Sequence, residues 1–387
     1  MISHNGIKGD PLLMIPGPTN LHPRVLQVMS EPQLGHTGTK FYSEFVDILD
    51  LTKYTFKTKG NVIVFSGSGT SGMEAAASSA IEPGEKVLSL ETGFFGKRFS
   101  SIAEIYGANV TKLTVPDGSE FDPGTLDERM SKGSYDVVLM THVETSTGVE
   151  NRVKELVRIA KKHGALTIVD AVASLGGCEL DFDDWGIDIA FAGSQKAIAA
   201  PPGAMLMAIS EKAIQKIQNR KTPVKSYYYN LERWMDVMKD PHIYLTTPST
   251  AVLRALRVAL QMVKEEGIEQ RIRRHKELSD LFLRSLKSAN ISIFSNRPSP
   301  TVTAIKVSNA TAIQKKILDM HNIMVATGLA NHKDDMLRIG HMGNITEEEL
   351  LMTLFALLDI LKQTGQNIDV AGSIGVFFDR IKVTATA

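Results

Sequence analysis

From Asn61 onward, short apolar runs alternate with helical stretches, and that alternation constrains the fold more than any single residue does. "NVIVF", "KVLSLE", "DVVLMTHV", "LTIVDAV" and "IDIAFAGS" read as strands, with "GAMLMAIS" closing the series. Between them lie helical patterns such as "SGMEAAASSAI", "SSIAEIYG" and "VKELVRIAKKHG", the last with Gly164 as its stop signal. Strands fed by helices in this way predict a mostly parallel sheet covered by helices, with the ligand at the carboxyl ends of the strands. After "TTPSTAV" the pattern changes to a long helical tract followed by "ISIFS", "TVTAIKV" and "LRIGHM", which predicts a smaller α+β unit. The expected division is an arm over residues 1–20, a large domain over 21–248 and a small domain over 249–387.

With 43% hydrophobic and 22% charged residues, a chain of 387 residues can bury a sizeable core. Lys plus Arg equals Asp plus Glu, 43 against 43, so net charge predicts neither a nucleic-acid nor a membrane partner. The densest basic run, "RIRRHK" at 271–276, reads as a solvated helix face. Cys178 is the single cysteine, which excludes an internal disulfide framework and fits a reducing compartment. No basic, apolar leader opens the chain, no apolar stretch has the length of a membrane span, and "KVTATA" is no peroxisomal address, so the expected location is the cytoplasm.

Three motifs carry the chemistry. "FSGSGTSGMEAA" runs from a strand end into a helix, and Gly67, Gly69 and Gly72 let backbone approach an anion at the helix start. The same letters match G-x-G-x-x-G, with Glu91 about twenty residues on where a dinucleotide fold holds a ribose; a nicotinamide oxidoreductase is therefore the alternative. Asp170 ends the apolar strand "LTIVD", as a cap or as a charge facing a ligand. Lys196 stands in the small and apolar surroundings "AGSQ" and "AIAAPPGAMLM", where desolvation would make its amine a nucleophile toward aldehydes. A phosphate cradle, an acid and a lysine on successive strand ends are the groups that pyridoxal phosphate requires, and hydride transfer needs neither of the last two there.

With these residues in view, the sequence resembles the class V aminotransferases of the pyridoxal-phosphate-dependent fold type I, most closely the alanine:glyoxylate and serine:pyruvate enzymes. The resemblance runs through "IPGPTNLHPRVL", "SGSGT", "GFFGKR", "THVETSTGV", "IVDAVASLGG", "GSQKAIAAPPG", "YLTTPS" and "MLRIGHMG". It implies that Lys196 forms the Schiff base and, once released, shuttles the substrate α-proton through a pyridoxamine phosphate intermediate. It further implies that Asp170 pairs with the pyridinium nitrogen, Val172 packs on the ring, Ser146 bonds the ring's phenolic oxygen, and Phe95 stacks where a relative has tryptophan. Ser68, Gly69, Thr70 and Gln195 would bind phosphate. Tyr244 and Thr247 would reach the partner subunit's site in a homodimer, and Gly17 would line the pocket. Arg338 would clamp the substrate carboxylate, although from the residues alone it reads equally well as a surface arginine on an edge strand.

The expected reaction moves the amino group of serine or alanine to glyoxylate or pyruvate, since no second arginine offers itself for a distal carboxylate. Cysteine desulfuration is set aside because Cys178 reads as structural, and a non-catalytic scaffold is disfavoured by the presence of both Lys196 and Asp170. His36, His142, His275, His332 and His341 are scattered singly, so no metal is expected. His142 lies near the expected pocket without an assignable role.

Overall fold

In the computed structural model, residues 9–240, 242 and 244–384 are described; residues 1–8 of the expected arm and the last residues of "KVTATA" lie outside them. After helix α1 (Thr39–Phe56), strand β1 (Asn61–Gly67) leads into α2 (Gly69–Ala80), then β2 (Lys86–Glu91), α3 (Phe94–Ile105) and β3 (Asn109–Thr114). There follow β4 (Val137–Thr141), α4 (Val153–Lys162), β5 (Leu166–Asp170), β6 (Ile189–Gly193) and β7 (Gly203–Ile209). These strands form one seven-stranded sheet in the order β1-β7-β6-β5-β4-β2-β3. Only β7 runs antiparallel to its neighbours. Its first residue, Gly203, therefore pairs with Gly67, and the turns that carry function share one edge of the sheet.

Every residue of β4, β5 and β6 is buried, as strands covered on both faces require. Alternate side chains serve opposite cores: Val138 and Val169 join one cluster, Leu139 and Ile168 the other. Helix α4 covers the first face with Val153, Leu156, Val157 and Ala160, a helical spacing, and stops at Gly164 with φ +82°. Each fully buried valine or leucine contributes about 1.5–3 kcal/mol. No helix among the described residues is long and apolar enough to cross a membrane.

The chain leaves this unit along α5 (Thr250–Glu266), whose Leu253, Leu256 and Leu260 still belong to the large core, and α6 (Ile268–Ser288), whose Leu278 and Phe282 begin a separate cluster. The second sheet orders β8 (Val302–Lys306), β10 (Met336–Gly340) and β9 (Ala326–Thr327) with β10 in the middle. "ISIFS" does not form a strand of it: Ile293 makes only an isolated bridge to Ile305. Residues Leu12–Leu13 pair in parallel with Ile323–Met324, and Met14 accepts from the Gly340 N–H at 2.8 Å, which ties the arm to the second unit.

Candidate active site

The cradle forms because Ser68 is a helix cap. Its hydroxyl accepts from the Ser71 N–H (3.3 Å), and the Ser71 hydroxyl accepts from the Ser68 N–H (2.9 Å). The first N–H groups of α2, on Gly69 and Thr70, have no carbonyl within the helix to bond and are free for an anion. Gly69 is needed for proximity, since a Cβ there would lie 2.5 Å from Val172. Beside the cradle, Arg98 of α3 donates to the Thr70 hydroxyl (3.2 Å) and lies 5.0 Å from the ring centroids of both Phe94 and Phe95.

Asp170 ends β5 between Thr141 and Phe191 and is 4% exposed. Burial pushes its carboxyl up to about 7, although it accepts the Val172 N–H at 2.9 Å. In the unfolded chain the group titrates near 3.8, so the folded chain holds the proton more tightly. Its stabilising share is complete below pH 4 and is lost as pH rises through about 7, at a cost of about 4 kcal/mol. Without added cofactor, Asp170→Asn should therefore withstand more urea than the parent at pH 8, by a margin that narrows near pH 5. Equal margins at both values would contradict the assigned cause.

The β6–β7 loop carries Lys196. Burial first, then the charge of Arg338, pushes its amine down to about 8. The amine donates to the Pro16 carbonyl in a very short bond. Gly17, at φ +92°, leaves room for it: a Cβ would stand 2.6 Å from the lysine's Cδ. The neighbouring Gln195 has a buried Oε1 without a hydrogen-bond partner.

These parts meet around one cavity of about 150 Å³, lined by the expected Ser68, Gly69, Thr70, Phe95, Asp170, Val172, Gln195 and Lys196. Arg98 and Thr145 line it too, unforeseen in the sequence. Arg338 stands behind Thr145, on the central strand β10 and 7% exposed, which corrects the edge-strand reading. Its Nη1 donates to the Thr145 carbonyl (3.0 Å) and its Nε to the Thr327 carbonyl (2.8 Å).

Ser146 is not brought to the cavity. Its hydroxyl lies 2.5 Å from Glu144 Oε1 and accepts the Phe94 N–H, so its one proton is committed to that carboxylate. Glu144 itself is fully buried and accepts from the N–H groups of Phe95 and Gly96 at 3.0 and 3.1 Å. The signal for it was Gly93, a helix cap with no side chain to offer the start of α3.

Tyr244 also departs from expectation. Its hydroxyl bonds the Val64 carbonyl (3.4 Å) and its ring packs edge-on against Phe45 and Trp234 of its own chain, while Thr247 is exposed. The Glu91 carboxylate is turned inside the fold, 2.5 Å from the Ser100 hydroxyl, which removes the acid that the nicotinamide reading needs. "RIRRHK" is a solvated face only in part: Arg273 and Lys276 are exposed, but Arg271 is 1% exposed and His275 fully buried.

Cys178 is buried with Val143, Ala197 and Met342, and burial pushes its thiol up, away from reactivity. His142 packs edge-on to Trp185, and burial pushes it down to about 3. Among the described residues no group of three or more His, Cys, Asp or Glu side chains could hold a metal ion. An open groove of about 870 Å³ near Lys306 and Lys316 is lined by none of the expected residues.

The model of the family described as "Aminotransferase class-V" matches residues 13–350. An uncharacterized aminotransferase of Methanocaldococcus jannaschii is 37% identical over 93% of this chain and 95% of its own. The alanine–glyoxylate aminotransferase of Rattus norvegicus is 34% identical over 92% and 89%. Among solved structures, the ureidoglycine–glyoxylate aminotransferase of Bacillus subtilis superposes with a TM-score of 0.93 at 30% identity, over 98% of this chain and all of that one.

Proposed function

Because the chain belongs to the class V aminotransferases, with their fold type I architecture, we propose that it moves the amino group of serine or alanine to glyoxylate or pyruvate at the cavity around Lys196. The observation that carries this reading is the convergence on one cavity of a partly desolvated lysine, a buried acid and a helix start. Pyridoxal phosphate, when bound, supplies the aldehyde that captures the amine and the electron sink that acidifies the α-carbon.

The residues fit that group on several counts. The N–H groups of Gly69 and Thr70, the Ser68 hydroxyl and the Arg98 guanidinium suit its phosphate, and Gln195 lines the cavity beside them. Asp170 would hold the pyridine nitrogen's proton, and the opposite charge would offset the cost of burying the carboxylate. Phe95 and Val172 would cover the ring, and Thr145, which lines the cavity, would serve where Ser146 was first expected.

Among the described residues Lys196 is the only amine at the cavity. At a pH above about 8 it is mostly neutral, so it can take the proton from the substrate α-carbon and return it to the carbon that receives the nitrogen. Arg338 would hold the substrate carboxylate: burial pushes its guanidinium down to about 10, which leaves it charged at neutral pH. Arg98 is a second arginine, but its fork is engaged with Thr70 and two phenylalanine rings, so we assign it to the phosphate end. That leaves the substrate end suited to small side chains.

Thr247, exposed on this chain, supports the homodimer part of the reading; Tyr244, turned inward, does not. The lone buried Cys178 suits the reducing, cytoplasmic setting that belongs to the same reading.

The test is spectroscopic. The visible band of the enzyme loaded with pyridoxal phosphate should disappear on adding L-serine or L-alanine alone and return on adding glyoxylate or pyruvate. L-aspartate that discharges the band faster than either would overturn the small-donor assignment.

A further inference from the structure

The buried basic residues of α6 have partners on both sides of the cavity. Positions 271, 274 and 275 share one helix face by their spacing, and that face points inward. Arg274 donates to the carbonyls of Gly343 (2.9 Å) and Ile345 (3.2 Å), and His275 Nε2 accepts the Gly343 N–H (2.9 Å). The turn clasped in this way follows β10, the strand that carries Arg338.

Arg271 reaches further. One of its terminal nitrogens, Nη2, donates both to the carbonyl of Ala197 (2.6 Å), the residue after Lys196, and to Asn344 Oδ1 (3.3 Å). The other, Nη1, is held by Glu266 at 2.5 Å. Burying a guanidinium is expensive, and an apolar residue would serve packing better. A lysine at this position could not reproduce the fork, which engages three acceptors at once.

We propose that Arg271 is a positioning residue for amino transfer, fixing the separation between the Lys196 amine and the Arg338 clamp by holding Ala197 and Asn344 together. The proposal rests on the roles of Lys196 and Arg338 given above. The substrate carboxylate and the α-carbon beside it must meet these two groups simultaneously, and a displacement of about 1 Å costs on the order of a hundredfold in rate.

The test uses the loaded enzyme with L-alanine and glyoxylate. Arg271→Lys should lower kcat/KM by roughly a hundredfold, through both a lower kcat and a higher KM. Asn344→Ala, which releases only the clamp side, should raise KM about tenfold with a much smaller fall in kcat. Independently of turnover, amide exchange at Ala199, whose N–H bonds the Lys196 carbonyl at 2.8 Å, should accelerate in Arg271→Lys.

A folded Arg271→Lys with parental kcat, KM and Ala199 exchange overturns the proposal, as does one that melts earlier but keeps those three values. If Arg271→Lys does not fold, Asn344→Ala decides, and an unchanged KM overturns the proposal. Turnover retained by Lys196→Ala sinks the underlying reading instead. Parental kinetics in Arg271→Lys beside an inactive Lys196→Ala sinks only the positioning role.

Discussion

Lys196→Ala is expected to lose amino transfer by about ten-thousandfold or more, because it removes the only amine that the described residues bring to the cavity and with it the group proposed to move the α-proton. The loss should fall on kcat, since neither the cradle at Ser68–Thr70 nor Arg338 depends on the lysine for its position. Stability should change little or improve: the substitution removes an ammonium desolvated enough to titrate near 8, together with its bond to the Pro16 carbonyl. Stopped-flow absorbance with L-serine, beside a thermal melt, reads both effects. Single-turnover rates within tenfold of the parent would remove Lys196 from the proton transfer.

Arg338→Lys should lower kcat/KM for alanine by roughly a hundred- to a thousandfold, chiefly through KM. The two charge-assisted bonds of a bidentate clamp are each worth about 1.5–3 kcal/mol, and an ammonium cannot reproduce their geometry. A second cause adds to this one. The Arg338 fork also satisfies the carbonyls of Thr145 and Thr327, so lysine would leave at least one of them unmet and loosen the wall that Thr145 gives the cavity. Initial rates across alanine concentrations give the measurement. An unchanged KM would mean that the carboxylate is held elsewhere.

The strand ends were legible because parallel strands demand apolar runs, and a charge beside such a run must be capped, paired inside the fold as Glu91 is, or turned to a ligand. Asp170 and Lys196 stood out only in combination with the helix-start cradle of "SGSGT". Ser146 and Thr145 could not be told apart in the same way: both are hydroxyl residues, and the short hairpin pairing Val143–Glu144 with Val149–Glu150 decides which of them faces the cavity. Glu144 was hidden because its partners are backbone N–H groups of a helix start, which have no letter in the sequence. The inward half of "RIRRHK" was missed because the partners that make the burial of Arg271 and His275 tolerable, Glu266, Ala197 and the turn at 343–345, are mostly distant along the chain. Arg98 was passed over because its role depends on Thr70, which the fold alone brings beside it.

The arm that roofs Lys196 has a consequence for how the protein is made. Leu12 and Leu13 pair with Ile323 and Met324, and Asn322 bonds the Gly9 carbonyl across 313 residues of chain. On a ribosome residues 9–13 must wait, unpaired, until residues 322–324 have emerged. That closure and the bond from the Thr19 N–H to the Gln195 carbonyl (3.3 Å) together set the Pro16 carbonyl and Gly17 against the lysine. The roof is thus held at two points made at different times, and a nascent chain released before residue 322 would carry the lysine under a roof fixed at only one of them.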